Sequence, residues 1–248
     1  DGEAAQDYSG HSVSLSADGN TVAIGAYNND GNGTNSGHVR VYSYYADSWN
    51  KRGSDIDGES AYDQSGHSVS LSADGTILAI GAHVNSSLGY ATGHVRVFQF
   101  SNDSWSQLGE DIDGEAASNY SGWSVSLSSD GKTVAIGAPY NNGNGSTSGH
   151  VRIYNYNDST WTQLGADING EAANDESGYS VSLSSDGTTV AIGARGNDDN
   201  GSNSGHVRVY NYNGTAWMQL STDIDGVGVN GYAGSSVFLS SDGTNIVF

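Results

Sequence analysis

The chain has 248 residues, of which 36 are Gly, one is Pro and none is Cys; 28 Asp and Glu stand against 8 Lys and Arg, a formal charge of −20. Against averages of about 7% Gly and about 25% charged residues, it is Gly-heavy and short of cations. Its acidity argues against nucleic acid and against anionic lipid, since both demand basic surface. No run nears the ~20 apolar residues that span a bilayer, no signal peptide is visible, and the lack of Cys excludes disulfides and thiolate chemistry.

The chain opens on Asp1-Gly2, and the pair returns at Asp57-Gly58, Asp113-Gly114, Asn169-Gly170 and Asp225-Gly226, a step of 56 residues without insertion or deletion. Gly10, His38 and Trp49 each head a further series with the same step. Internal repetition of this length signals a repeat architecture. The units run about 1–56, 57–112, 113–168 and 169–224, with a partial fifth at 225–248. The fifth lacks two strands and nothing precedes the first to supply them, so the reading expects a window onto a longer array.

Within one unit, Ser12 to Ser16 alternates with period two, a strand pattern. Asp18-Gly19 predicts a primed hairpin turn. Thr21 to Ala26 is a short apolar run, suited to a strand buried on both faces. A ten-residue loop follows, Tyr27 to Ser36, and then a third strand, His38 to Tyr44, with Val39 and Val41 on one face and His38, Arg40, Tyr42 and Tyr44 on the other. A fourth strand centres on Trp49. No segment has a 3.6-residue apolar period, so essentially no helix is expected. Four antiparallel strands in tandem units predict an all-β fold, a β-propeller of 56-residue blades, four full and one half. A β-solenoid is the weaker alternative, because its coils are shorter.

The consensus reads Trp-x-Gln-Leu-Gly-x-Asp-Ile-Asp-Gly-Glu-Ala-Ala, Ser-Gly-x-Ser-Val-Ser-Leu-Ser-x-Asp-Gly, Val-Ala-Ile-Gly-Ala and Gly-His-Val-Arg-Val-Tyr. It resembles the FG-GAP repeat family, the blades of integrin-alpha-like propellers, and especially bacterial and algal extracellular variants. The resemblance covers the whole chain and implies a secreted or surface propeller serving adhesion, scaffolding or ligand binding. Two departures stand out. The Phe-Gly element is Ser-Gly at Ser9-Gly10 and its mates, and Gly-Ala-Pro is complete only at Gly137-Ala138-Pro139. The family's calcium loop has shrunk to Ser-x-Asp-Gly, too few oxygens for the six to eight or so that calcium takes.

A four-stranded meander places the 2–3 loops and the 4–1 connections on one face, where recognition would lie. The variable 2–3 loops are Tyr27 to Ser36, His83 to Thr92, Pro139 to Ser148 and Arg195 to Ser204; the bland reading is solvated loop. Sequons at Asn32, Asn85, Asn102, Asn119, Asn144, Asn157, Asn200 and Asn213 are candidates for N-linked glycans. Asp198 and Asp199 in one loop, and Asp30 in another, are candidate calcium ligands, although no full Asp-x-Asn-x-Asp-Gly ladder is present. Arg40, Arg96, Arg152 and Arg208 recur in every blade, which suits structural ion pairs with Asp57, Asp113 or the neighbouring Asp55 type better than catalysis. The Trp series is read as packing. His11, His67, Trp123, Tyr179 and Ser236 share one repeat position with changing chemistry, which excludes a shared catalytic role.

The sequence thus predicts a non-enzymatic, extracellular or cell-surface scaffold or adhesive propeller, glycan-coated and assembled into a fibre or surface layer. Its partners would be its own copies, other extracellular proteins or carbohydrate. The alternative is a lectin or adhesin module reading carbohydrate or protein through the loop-rich face.

Overall fold

The computed structural model describes residues 2–248; Asp1, first of the Asp-Gly series, lies outside them. The first sheet holds β1 (Ser12–Leu15), β2 (Thr21–Ala26), β3 (His38–Tyr45), β4 (Ser48–Lys51) and β5 (Ile56–Asp57). The second repeats it as β6 (Ser68–Leu71), β7 (Ile77–Ala82), β8 (His94–Ser101), β9 (Ser104–Gln107) and β10 (Ile112–Asp113). The third comprises β11 (Ser124–Leu127), β12 (Thr133–Ala138), β13 (His150–Tyr156), β14 (Trp161–Gln163) and β15 (Ile168–Asn169). The fourth comprises β16 (Ser177–Leu183), β17 (Thr189–Ala194), β18 (His206–Tyr212), β19 (Trp217–Gln219) and β20 (Ile224–Asp225). A hairpin of β21 (Phe238–Leu239) and β22 (Ile246–Val247) begins a fifth. Within each blade the strands pair antiparallel; the first four follow chain order and the short fifth pairs back onto the third. These are propeller blades, and no helix occurs among the described residues.

Two local predictions are corrected. The fourth strand is split: β4 pairs with the far half of β3 (Tyr42 opposite Lys51), and β5 pairs with its near half (His38 opposite Asp57). Between them Gly53, at φ 78°, turns the chain away from the sheet. The Asp18-Gly19 turn is not of the primed kind either, since Gly19 alone has positive φ there. It is instead braced by Asp18, whose Oδ1 accepts the Ser16 hydroxyl at 2.6 Å and the Asn20 amide at 2.9 Å. These donors hold the exposed Asp18 carboxyl down at about 2.

The cores lie between blades. Ala23, Val39, Val41 and Ile56 from the first sheet interlock with Val69, Leu71, Leu78, Ile80 and Phe98 from the second, and equivalent clusters fill the next junctions. Each Val, Leu, Ile or Phe among them taken fully from water contributes roughly 1.5–3 kcal/mol. The middle strands β7, β12 and β17 are therefore buried on both faces along their whole length. In the first blade the outward face is open, and Val13 is 62% exposed where its mate Val69 is 9% exposed.

Hydrogen bonds repeat across every junction. The Ser12 hydroxyl donates to the Gly66 carbonyl at 2.7 Å, and Ser14 Oγ accepts the Leu71 amide at 2.9 Å. The alternating serines of the innermost strand thus serve the neighbouring blade. Gly25, Gly81, Gly137 and Gly193 press against the carbonyls of Gly66, Gly122, Gly178 and Gly234, and a Cβ at any of them would overlap that oxygen. Further out, the indoles of Trp105, Trp161 and Trp217 donate to the carbonyls of Arg52, Leu108 and Leu164 at 2.7–2.8 Å.

Candidate functional site

The 2–3 loops and 4–1 connections share one face and are tied together. The Tyr62 amide donates to the Thr34 carbonyl at 2.7 Å, and Asn32 Nδ2 donates to the Gly58 and Glu59 carbonyls at 2.8 and 3.1 Å. Gly37 and Ser65 form a parallel bridge beneath them, repeated at each junction. The loop-rich face is a braced surface.

On that face one repeat position, at the start of each innermost strand, forms a row of rings. His11 and His67 lie 5.0 Å apart, His67 and Trp123 4.8 Å, and Trp123 and Tyr179 5.4 Å, centroid to centroid. Rings from the start of the 2–3 loops flank the row: Tyr27 at 4.6 Å from His11, His83 at 3.9 Å from His67, and Tyr140 at 5.6 Å from Trp123. The row ends at Arg195, whose guanidinium lies 3.6 Å over the Tyr179 ring and donates to Glu176 at 2.6 Å. Beyond it opens a cleft of about 470 Å³ lined by Glu176, Arg195, Gly196, Asn203, Tyr232 and Ser235. Burial, helped by the neighbouring histidines, pushes His67 down to about 4 and His83 to about 2. Both rings are neutral and act as aromatic surface. The changing chemistry that excludes shared catalysis conceals this row: His, Trp and Tyr have one property in common, a flat ring.

A second constellation recurs farther from the axis. His38, His94, His150 and His206, at the start of the third strands, each meet a Glu from the 4–1 connection and an Asp from the break in the fourth strand. The sets are Glu3 and Asp55, Glu59 and Asp111, Glu115 and Asp167, and Glu171 and Asp223. Burial holds His150 down at about 4 and pushes His38 and His206 below their ordinary value. The Glu partners have no local motif of their own; the 56-residue step they share with the His and Asp series is the one signal of them in the sequence.

The arginines call for a correction. Arg96, Arg152 and Arg208 donate at 2.7–2.8 Å to the backbone carbonyls of Asp57, Asp113 and Asn169, not to the carboxylates of Asp57 and Asp113. Pairing across the sheet fixes the Asp57 backbone opposite His38 and turns its carbonyl to the next blade. The carboxylates they face are Glu59, Glu115 and Glu171, at 3.6–3.7 Å. In the first blade Arg40 forks onto Asp55 at 2.8 and 3.1 Å and also reaches Glu3.

The calcium candidates separate. Asp30 and Asp198 accept the Asn35 and Asn203 amides at 2.7 Å and so cap their own loops. Asp199 instead joins Glu171, His206 and Asp223.

The sequons divide by surroundings. Asn85 and Asn119 are each 3% exposed. Asn32, Asn144 and Asn200 spend Nδ2 on backbone carbonyls of the adjoining connection. Asn102, Asn157 and Asn213 sit exposed on the 3–4 hairpin tips, at the opposite face.

The comparisons agree with this architecture. No curated protein matches the chain in sequence. Among solved structures, a candidate 6-phosphogluconolactonase from Bacteroides uniformis is similar with a TM-score of 0.60 at 15% identity, over 88% of this chain and 55% of that one. The periplasmic gluconolactonase PpgL of Pseudomonas aeruginosa is similar with a TM-score of 0.56 at 18% identity, over 86% of this chain and 56% of that one. The chain thus spans little more than half the length of these structures, and at such identity the likeness is one of fold. The FG-GAP repeat model matches residues 1–42, 112–154 and 169–210, just over half the chain. Spaced motifs, tandem blades and that match lead to one conclusion: the chain belongs to the FG-GAP repeat family.

Proposed function

We propose that this chain is part of an extracellular adhesive propeller that binds carbohydrate or protein through its loop-rich face. The observation that carries the reading is the aromatic row from His11 through Trp123 to Tyr179, ending at the Arg195–Glu176 pair and its cleft. Flat rings offer stacking surface to a sugar or an apolar side chain, and a guanidinium–carboxylate pair offers fixed donors and acceptors to hydroxyls. The rings stand on a scaffold braced at every junction, so little ordering is needed on binding. The reading assigns binding and no reaction; the lactonase names belong to structures that share only the fold.

The test is an array of glycans and extracellular-matrix proteins probed with the chain and with Trp123→Ala. Micromolar or tighter binding, weakened at least about tenfold by the substitution, a loss of about 1.4 kcal/mol, is expected. Binding that ignores Trp123 would remove the row from the function. A second reading, a fibre or surface-layer scaffold, is supported by the identical junctions from blade to blade. Absence of any ligand, with filaments or sheets in electron micrographs, would favour it.

A further inference from the structure

We propose that the second, third and fourth blades each hold a divalent ion of the zinc type between a Glu, a His and an Asp. The proposal concerns a place apart from the aromatic row and holds or fails independently of the ligand-binding reading.

The geometry is that of a ligand shell. In the second blade Gln107 Nε2 donates to Asp111 Oδ1 at 2.7 Å, which leaves Oδ2 facing His94 Nδ1 at 3.5 Å. Arg96 lies against Glu59 Oε1 at 3.7 Å, which leaves the other oxygen to the cluster. The fourth blade repeats this. Gln219 takes Asp223 Oδ1, Arg208 takes Glu171 Oε1, and His206 Nδ1 lies 3.6 Å from Asp223 Oδ2 and 3.9 Å from Glu171 Oε2. The third has His150 Nδ1 at 3.8 and 3.7 Å from Asp167 and Glu115. Each carboxylate thus has one oxygen oriented by a neighbour and one turned inward, the outer-shell arrangement that orients metal ligands.

The distances discriminate. A nitrogen–oxygen separation of 3.5–3.9 Å is beyond the ~3.2 Å limit of a good hydrogen bond. Two ligands bound tetrahedrally at about 2.1 Å from one zinc lie about 3.4 Å apart. The ligand atoms of each set lie within 4.8 Å of one another, and contraction onto an ion would close the set.

The imidazoles give the independent observation. His94 and His206 are 1% and 0% exposed, and among the described residues neither ring nitrogen of either has a hydrogen-bond partner. A buried polar atom left so is costly. An ion at Nδ1 would take that lone pair and leave the proton on Nε2. The donor set also names the class of ion: calcium and magnesium take oxygen ligands, whereas one imidazole and two carboxylates suit zinc. Three protein ligands leave a position for water; in the fourth blade Asp199 stands within reach to fill it. The first blade is excluded, because Asp55 already takes Arg40 and Lys51, at 2.8 and 2.7 Å.

The experiment is titration of the metal-stripped chain with zinc chloride, in physiological salt and millimolar calcium, followed by the visible spectrum with cobalt(II). Three equivalents bound at micromolar or tighter affinity, a cobalt d–d band of tetrahedral intensity, and a rise in Tm are expected. Asp111→Asn keeps the acceptor for Gln107 and lowers the count to two. Uptake that calcium competes away, a count unchanged in Asp111→Asn, or a colourless cobalt sample overturns the proposal. The wild-type cobalt spectrum decides the matter even if the variant fails to fold.

Discussion

Gly137 is held where only hydrogen fits: its α-carbon faces the Gly178 carbonyl of the next blade, with the Ser124 hydroxyl beside it. Gly137→Ala must separate two blades or displace a hydrogen-bonded carbonyl, beyond ordinary overpacking, so a loss of about 3 kcal/mol or more is expected. Urea denaturation checks it, and a variant as stable as the parent would mean that the junction is loose. The neutral histidines of the aromatic row set a pH dependence. His67 and His83 titrate near 4 and 2 in the folded chain and near an ordinary value of about 6.5 when unfolded. Below about 6.5 the unfolded chain takes up protons that the folded chain refuses. The stability due to these rings is therefore complete above that pH and is lost as pH falls toward 4, by at most about 1.4 kcal/mol per pH unit for each ring. His83→Phe, which keeps a ring without the ionisation, is expected to flatten this slope. Urea midpoints measured from pH 7 to 4 decide it, and an equal slope in the variant would refute the burial argument.

At the scale of elements, the split fourth strand does two jobs. Its near half keeps the Asp57 carbonyl in reach of Arg96, and the intervening Gly53 clears space for the Trp105 indole of the next blade. The 3–4 hairpin tips, at the opposite face from the aromatic row, carry the sequons with open surroundings. Produced in a glycosylating eukaryotic host, the chain is expected to carry glycans at Asn102, Asn157 and Asn213. Asn85 and Asn119 are expected to be bare, since a buried amide cannot hold a glycan in the folded chain. Glycopeptide mass mapping distinguishes these, and occupancy at Asn119 would contradict its burial. Decoration limited to the hairpin tips would leave the loop-rich face free to bind.

Across the whole molecule, stability is a sum of junctions. Each blade shares its cores only with its neighbours, so the array behaves nearly one-dimensionally. Removal of one whole repeat, residues 113–168, joins Ile112 to Asn169, the repeat mate of Asp113, and re-creates a junction of the same kind. The shortened chain is expected to fold with unchanged ellipticity per residue and a lower denaturation midpoint. A deletion of half that length is expected to abolish cooperative unfolding, because it removes two strands of a blade and mismatches the seam. Equal behaviour of the two, read by far-ultraviolet circular dichroism and urea, would refute the nearest-neighbour picture.

By itself the sequence determined the period, the strand content, the loops of each face and the family, because these follow from local alternation, glycine placement and an invariant step. It could not show that the serines of the innermost strand serve the next blade, nor that Arg96 binds a carbonyl where a carboxylate was expected. Both depend on which atoms a neighbouring blade presents, and that is a matter of packing between residues 39 to 57 apart in the chain. The tertiary structure alone decided that His11, His67, Trp123 and Tyr179 form one row and that Glu59, His94 and Asp111 converge. A tandem repeat fixes each unit through its local pattern, but its sites form between units, where residues distant in the chain become neighbours by stacking.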